Sequence, residues 1–168
     1  DSLSSCCELL IEGAVDIMLC YYHPSVSPRI DDDAFARKDL RSERLIPVAA
    51  SEQAKQFKWN LNDKSGPPIP YLAYEQSSFL GMVVDSVVGP KQMNVETIYV
   101  DGLVETIKRR LLNGSGFAWM PETAIAAELA SEDLVPIGDE SWSARLTIAA
   151  LANPETLARQ PLALWDSL

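Results

Sequence analysis

Residues 95–123 read VETIYVDGLVETIKRRLLNGSGFAWMPET, and their order decides the fold class. VETIYV, 95–100, is rich in β-branched and aromatic residues and has the length of a strand. Asp101 follows as a capping residue. Residues 102–113, GLVETIKRRLLN, then place apolar side chains at helical spacing, with Lys108, Arg109 and Arg110 in the half where a helix dipole favours cations. Gly114 stands where a helix is closed by a left-handed residue. FAWM, 117–120, is a further apolar strand, and Pro121 opens the helical pattern PETAIAAELAS from an early position that tolerates proline. Strand and helix alternating in this way predict an α/β architecture with parallel strands.

The same alternation extends in both directions. Ser2–Glu12 carries Leu3, Cys6, Cys7, Leu10 and Ile11 at helical spacing, closed by Gly13, and AVDIMLCYY, 14–22, reads as a buried strand. Residues 23–40, with two prolines and the triplet Asp31, Asp32 and Asp33, read as an irregular exposed connection. ERLIPVAAS, 43–51, is a strand that Pro47 assigns to an edge or a bulge. GPPIPYLAY leads into a strand at Tyr71–Tyr74, and EQSSFLGMVVDSVV fits a helix with Ser77 or Ser78 as its N-cap. LVPI and RLTIAAL are strands; Asn153 and Pro154 open the last helix, which Pro161 interrupts.

Bulk properties bound the function. The chain has 168 residues, 47% of them hydrophobic, enough for one medium domain or two small lobes with a real core. Its formal charge of −10 opposes a phosphate backbone, and the single basic run, 108–110, scatters around a helix, so direct nucleic-acid binding is not expected. Three cysteines, two of them adjacent, fit small buried thiols in a reducing cytosol. No stretch is long enough to span a membrane.

Catalytic chemistry has little to stand on. His23 is the sole histidine, and Cys20 points to the opposite face of an extended strand. Ser115 lacks the spacing of a nucleophile elbow. No His or Cys spacing suits a metal, and Asp31–Asp33 reads as solvated surface. Neither a catalytic residue, a metal nor a cofactor is therefore expected. Binding chemistry is better served: YEQSSFLG sets two hydroxyls and a tyrosine where a strand becomes a helix, and the free N–H groups of a helix start suit an anion such as a carboxylate. Capping alone explains the serines equally well. At the second strand-to-helix corner, Asp101 reads as a cap whose charge disfavours an anion.

Taken in order, these segments resemble the effector-binding domain of LysR-type transcriptional regulators. ELLIEGAVDIMLCYYHP resembles the helix, glycine and strand unit of that family's first subdomain, LRSERLIPVAASE its crossing strand, LLNGSGFAWMPE its G-x-G with apolar residues and proline, and RLTIAALANP its return strand. YEQSSFLGMVVDSVV and GSGFAWMPETAI are most similar to the hypochlorite-responsive subgroup, although the subgroup's methionine positions fall on Leu80 and Leu103, which cannot form a sulfoxide. The resemblance implies two Rossmann-like subdomains of the type 2 periplasmic-binding-protein kind, joined by two crossing strands near Leu45–Ala49 and Leu146–Ala150. The first lobe would comprise 1–47 plus 144–168 and the second 48–143. The family's first strand and helix, and its helix-turn-helix, have no counterpart in this sequence.

Further expectations follow from the resemblance. A cytoplasmic homo-oligomer, dimer or tetramer, would bind a small-molecule effector, an anion on the helix-end argument, in a cleft between lobes, and reach DNA only through a helix-turn-helix outside this chain. The expected effector contacts are Tyr22 and His23 from the first lobe and Tyr74, Ser77, Ser78, Asp101, Gly116 and Phe117 from the second. The alternatives are a periplasmic solute-binding protein and an oxidant sensor acting through methionine oxidation.

Overall fold

The computed structural model describes residues 3–26, 35–87, 89, 91–159 and 163–168. The expected Asp31–Asp33 surface run and Pro161 lie outside the described residues. The chain divides into two compact units, one of Asp1–Ser42 with Leu146–Leu168, the other of Glu43–Arg145.

In the first unit, α1 (Leu3–Ile11) leads into β1 (Ile17–Tyr22). Gly13, at φ +71°, ends the helix in the left-handed region that a Cβ disfavours. β1 pairs antiparallel with β7 (Ala144–Ala152), from Ile17 opposite Ala152 to Tyr22 opposite Thr147. Cys7, Leu10, Met18 and Leu151 form the small core here, with Cys6, Cys20 and Phe35 packed on it. β2 (Ala36–Ala50) begins well before the strand expected from Glu43. Its first residues are half-buried and exposed in strict alternation, so a period of two was present, hidden by charge. Lys38 faces inward because its stem packs while its ammonium meets the Trp165 carbonyl and ring face. After β7, Asn153 accepts the Glu155 N–H at 2.9 Å and caps α6 (Pro154–Arg159); α7 (Ala163–Ser167) follows.

The unit boundaries fall inside β2 and β7, and the second unit begins with the later part of β2. It continues through α2 (Ser51–Phe57), β3 (Ile69–Tyr74), α3 (Phe79–Val87), β4 (Val95–Asp101), α4 (Val104–Leu112), β5 (Phe117–Pro121), a short 3-10 turn at Glu122–Ile125, α5 (Ala126–Ala130), β6 (Leu134–Pro136) and a second 3-10 turn at Glu140–Trp142. β3 pairs in parallel with β4 on one side and β5 on the other. β2 is antiparallel to both β5 and β6. The sheet is therefore mixed, and the expectation of parallel strands throughout holds only for the run quoted first, where helices connect the strands.

Two other expectations change. Pro47 does not mark an edge: it lies opposite Trp119 of β5, and its carbonyl accepts the Ile137 N–H at 3.1 Å. The ladder to β6 starts only at Val48, which spares the sheet a donor that proline lacks. Pro121 ends β5 instead of opening a helix, and a 3-10 turn stands between it and α5.

The core of this unit is aromatic. The Tyr71 ring stacks on Phe117 with centroids 5.0 Å apart and meets Trp119 edge-on at 5.4 Å. Trp119 donates its indole N–H to the Trp142 carbonyl at 2.8 Å, and Trp142 donates to Asn62 at 2.6 Å, so both buried indoles are satisfied. α4 buries Ile107 and Leu111, one turn apart, while Arg110 lies 3.7 Å from the Tyr99 ring centroid and Lys108 pairs with Glu128 at 2.7 Å.

Candidate functional site

The neighbour order β5, β3, β4 creates the site. From β3 the chain crosses through α3 to one side, and from β4 it returns through α4 to the other, so connections diverge at the carboxyl end of β3. Such a switch point leaves an uncovered crevice in an open α/β sheet, where ligands bind. A hollow of about 620 Å³ lies there, running from Tyr74–Ser77 along α3 past Gly81 to Asp85, with Tyr71, Ala73, Thr97 and Val100 on its sheet side. Its size suits a small molecule.

The turn that forms its rim is rigidly bonded. The Ser78 hydroxyl donates to the Glu75 carbonyl at 2.7 Å and accepts the Gly81 N–H at 3.1 Å, so this serine is the N-cap. The Glu75 N–H reaches the Asp101 carbonyl at 3.1 Å and ties the turn to β4. Gly81 is required sterically: a Cβ there would fall 2.1 Å from the Glu75 carbonyl oxygen.

The structure gathers some of the expected contacts and disperses others. Tyr74 and Ser77 line the hollow; Tyr74 is buried and donates its hydroxyl to the Met120 sulfur at 3.6 Å, and Ser77 is exposed. Ser78 is engaged as the cap. Asp101 accepts the Tyr99 hydroxyl at 2.7 Å and the Leu103 N–H at 2.9 Å, and these bonds, the phenol's first, hold its carboxyl below the usual range. It thereby fixes the turn before α4, not the helix start itself, which has no side-chain cap. Gly116 sits at φ +152° with its Cα turned to the Pro70 carbonyl of β3, so its smallness serves the approach of two strands. Phe117 is wholly buried against Tyr71.

Tyr22 and His23 belong to the other unit. The Arg37 guanidinium lies 4.2 Å from the Tyr22 ring centroid, and His23 Nδ1 accepts the Ser25 N–H at 3.1 Å, with burial lowering its pKa. Of the methionines, Met120 and Met18 are buried, while Leu80 is buried and Leu103 is 67% exposed.

Sequence reasoning did not single out Tyr71, Glu75, Asp85 and Thr97. One signal was available: Gly81 and Asp85 are four residues apart on a helix and so share a face. A second hollow, about 560 Å³ between the start of α2 and Glu132–Asp133, has no aromatic wall. Among the described residues no group of three or more His, Cys, Asp or Glu is placed to hold a metal, and no helix is long and apolar enough to cross a membrane.

Comparison with known proteins bears on the family and the fold. The LysR substrate binding domain family model matches residues 1–168. The chain is 32% identical over 97 residues to the HTH-type transcriptional regulator YjiE of Escherichia coli K12, a match covering 57% of this chain and 31% of that protein. It is 31% identical, again over 97 residues, to the HTH domain-truncated transcriptional regulator QseD of Escherichia coli O157:H7, with 57% and 39% covered. The match thus spans about a third of the length of these curated relatives. Among solved structures, the bromide-bound regulatory domain of HypT from Salmonella typhimurium superimposes with a TM-score of 0.78 at 23% identity, covering all of this chain and 81% of that one, which speaks to the fold. Sequence, strand order and family model converge, and the chain belongs to the LysR substrate binding domain family.

Proposed function

We propose that this chain is the sensing part of a transcriptional regulator and takes its small-molecule effector in the hollow at the carboxyl end of β3. The carrying observation is the position of that hollow, at the switch point of the strand order beside a bonded strand-to-helix turn. A ligand held there biases the protein by its differential affinity for two conformational states, and linkage carries that bias to DNA affinity in the intact homo-oligomer, through a helix-turn-helix outside this chain. The curated relatives carry that kind of name.

The test fills the hollow. Thr97 is exposed on the hollow's sheet side, so Thr97→Trp occupies the space without touching the core. Compounds from a metabolite library that raise the melting temperature are assayed for their effect on promoter binding by fluorescence anisotropy of the full-length regulator. Thr97→Trp is expected to abolish both responses. A response that survives in a folded Thr97→Trp protein refutes the placement.

A further inference from the structure

The junction of α4 and β5 combines a reactive dipeptide with a hydrogen-bonded helix end. Asn113 is the only asparagine of the chain followed by glycine; Asn60, Asn62, Asn94 and Asn153 precede Leu61, Asp63, Val95 and Pro154. A glycine on that side leaves its backbone nitrogen open to approach, because no Cβ screens it. Asn113 is exposed and lines the second hollow, between the start of α2 and Glu132–Asp133, so its side-chain amide meets water. The fold holds the chemistry back. Asn113 closes α4 at φ −80° and ψ 5°, and the Gly114 N–H donates to the Leu111 carbonyl at 2.8 Å, the Ser115 N–H to the Arg110 carbonyl at 3.2 Å. At this ψ the Gly114 nitrogen and the Asn113 Cβ stand roughly a third of a turn apart about the Cα–C bond, by the tetrahedral geometry of Cα, whereas a five-membered ring needs them eclipsed. Ring closure therefore waits for the last turn of α4 to open, a local event short of global unfolding. Gln53 covers that turn: its carboxamide fills the space of a Cβ on Gly114, with Nε2 only 2.4 Å from that position.

We propose that Asn113 is a self-modification site, gated by the end of α4, at which the asparagine is converted to aspartate and isoaspartate. The Gly114 nitrogen loses its proton to solvent base and bonds to Cγ of Asn113; the Cγ–Nδ2 bond breaks, and Nδ2 takes up a proton and leaves as ammonia. Water then opens the cyclic imide at one carbonyl or the other, giving aspartate in the normal chain or in a backbone lengthened by one methylene. No electrons are transferred, and water is the sole co-reactant. Either product sets a carboxylate at the end of α4, where the helix dipole disfavours it, in a hollow that already holds Glu52, Glu132 and Asp133. The lengthened backbone also shifts the approach of Gly116 to the Pro70 carbonyl, which leaves no room for a Cβ. Through that contact the change reaches the pairing of Tyr71 with Phe117, on the sheet side of the hollow beside α3.

The protein is incubated at mildly alkaline pH, folded and in urea, and digested at intervals. Peptide mass spectrometry locates each amide turned into acid, and isoaspartate is scored by methyl transfer from S-adenosylmethionine with an isoaspartyl methyltransferase. In the folded protein the product is expected at Asn113 before any other asparagine, about tenfold more slowly than in urea, as for a reaction that needs local opening of a helix end. Gln53→Ala, which uncovers the turn without touching the core, is expected to bring the folded rate closer to the urea rate. Asn113→Gln, whose ring would have six members, should stay unmodified at that position. Conversion of another asparagine first overturns the site, as does a folded protein still intact at Asn113 when the urea sample has fully converted. Equal rates in the folded and urea-unfolded protein overturn the gating, and a Gln53→Ala rate equal to that of the parent overturns the part assigned to Gln53.

Discussion

Replacing Gly116 with alanine tests how the site is held. The residue sits at φ +152°, a conformation that L side chains rarely adopt, and an added Cβ would lie 2.5 Å from the Pro70 carbonyl oxygen and 3.0 Å from its carbon. The strained backbone alone costs about 1–3 kcal/mol. Because the obstacle is strand backbone, relief requires β3 and β5 to part where Tyr71 lies opposite Phe117, an overpacking cost of about 1–3 kcal/mol more. The expected total is about 2–6 kcal/mol, a large share of the stability of a domain this size. Two other glycines of the same unit calibrate it. Gly114→Ala, at φ +73°, meets only the movable end of Gln53 and should cost about 1–2 kcal/mol. Gly66→Ala has no atom within 4 Å and should change little. Urea unfolding followed by tryptophan fluorescence reports on Trp119 and Trp142, both buried beside this strand pair. A loss for Gly116→Ala no larger than for Gly114→Ala would refute the claim that strand approach demands this glycine.

The remaining predictions use the same structure. Ser78→Ala removes a cap with two hydrogen bonds and should cost about 1 kcal/mol in urea unfolding, whereas Ser77→Ala should cost almost nothing; equal losses would mean that the cap is misassigned. Burial pushes the Cys20 thiol up to about 11, so near pH 8 iodoacetamide should label it about a hundredfold more slowly in the folded protein than in urea, and equal rates would contradict that burial. Since its folded pKa is raised, the associated stability is full below the unfolded value and disappears as pH rises through about 11, visible as a falling urea midpoint in alkali. The carboxyls of Asp101 and Asp139 are held low by hydrogen bonds, from the Tyr99 phenol first in one case and from Ser141 in the other. Their contribution is present above the unfolded carboxylate range and is lost as pH falls through the lowered values. The urea midpoint should therefore drop below about pH 4, less steeply in Asp101→Asn, and a midpoint flat through that range would count against these bonds.

Much of the local structure was readable because it follows from periods and caps. β4, α4 and β5 emerge close to the expected limits, since Ile107 and Leu111 recur at helical spacing and Gly114 stops the helix at φ +73°. The early part of β2 was missed because Arg37, Lys38 and Asp39 read as loop, although Lys38 turns inward to Trp165. Strand direction was misread for β1, β2 and β7, because a continuous apolar strand looks the same whether its neighbour runs parallel or antiparallel. Ser78 was readable as one of two candidate caps, but the choice between Ser77 and Ser78 required the bonds themselves.

The sequence by itself determined the alternation of strand and helix, the acidic charge and the family, because these depend on composition and on neighbours a few residues apart. Only the tertiary structure decided which residues line the hollow. Tyr71, Glu75, Asp85 and Thr97 come from a strand, a turn, a helix and a second strand, and their convergence depends on β5, β3 and β4 lying side by side in an order that differs from the chain's.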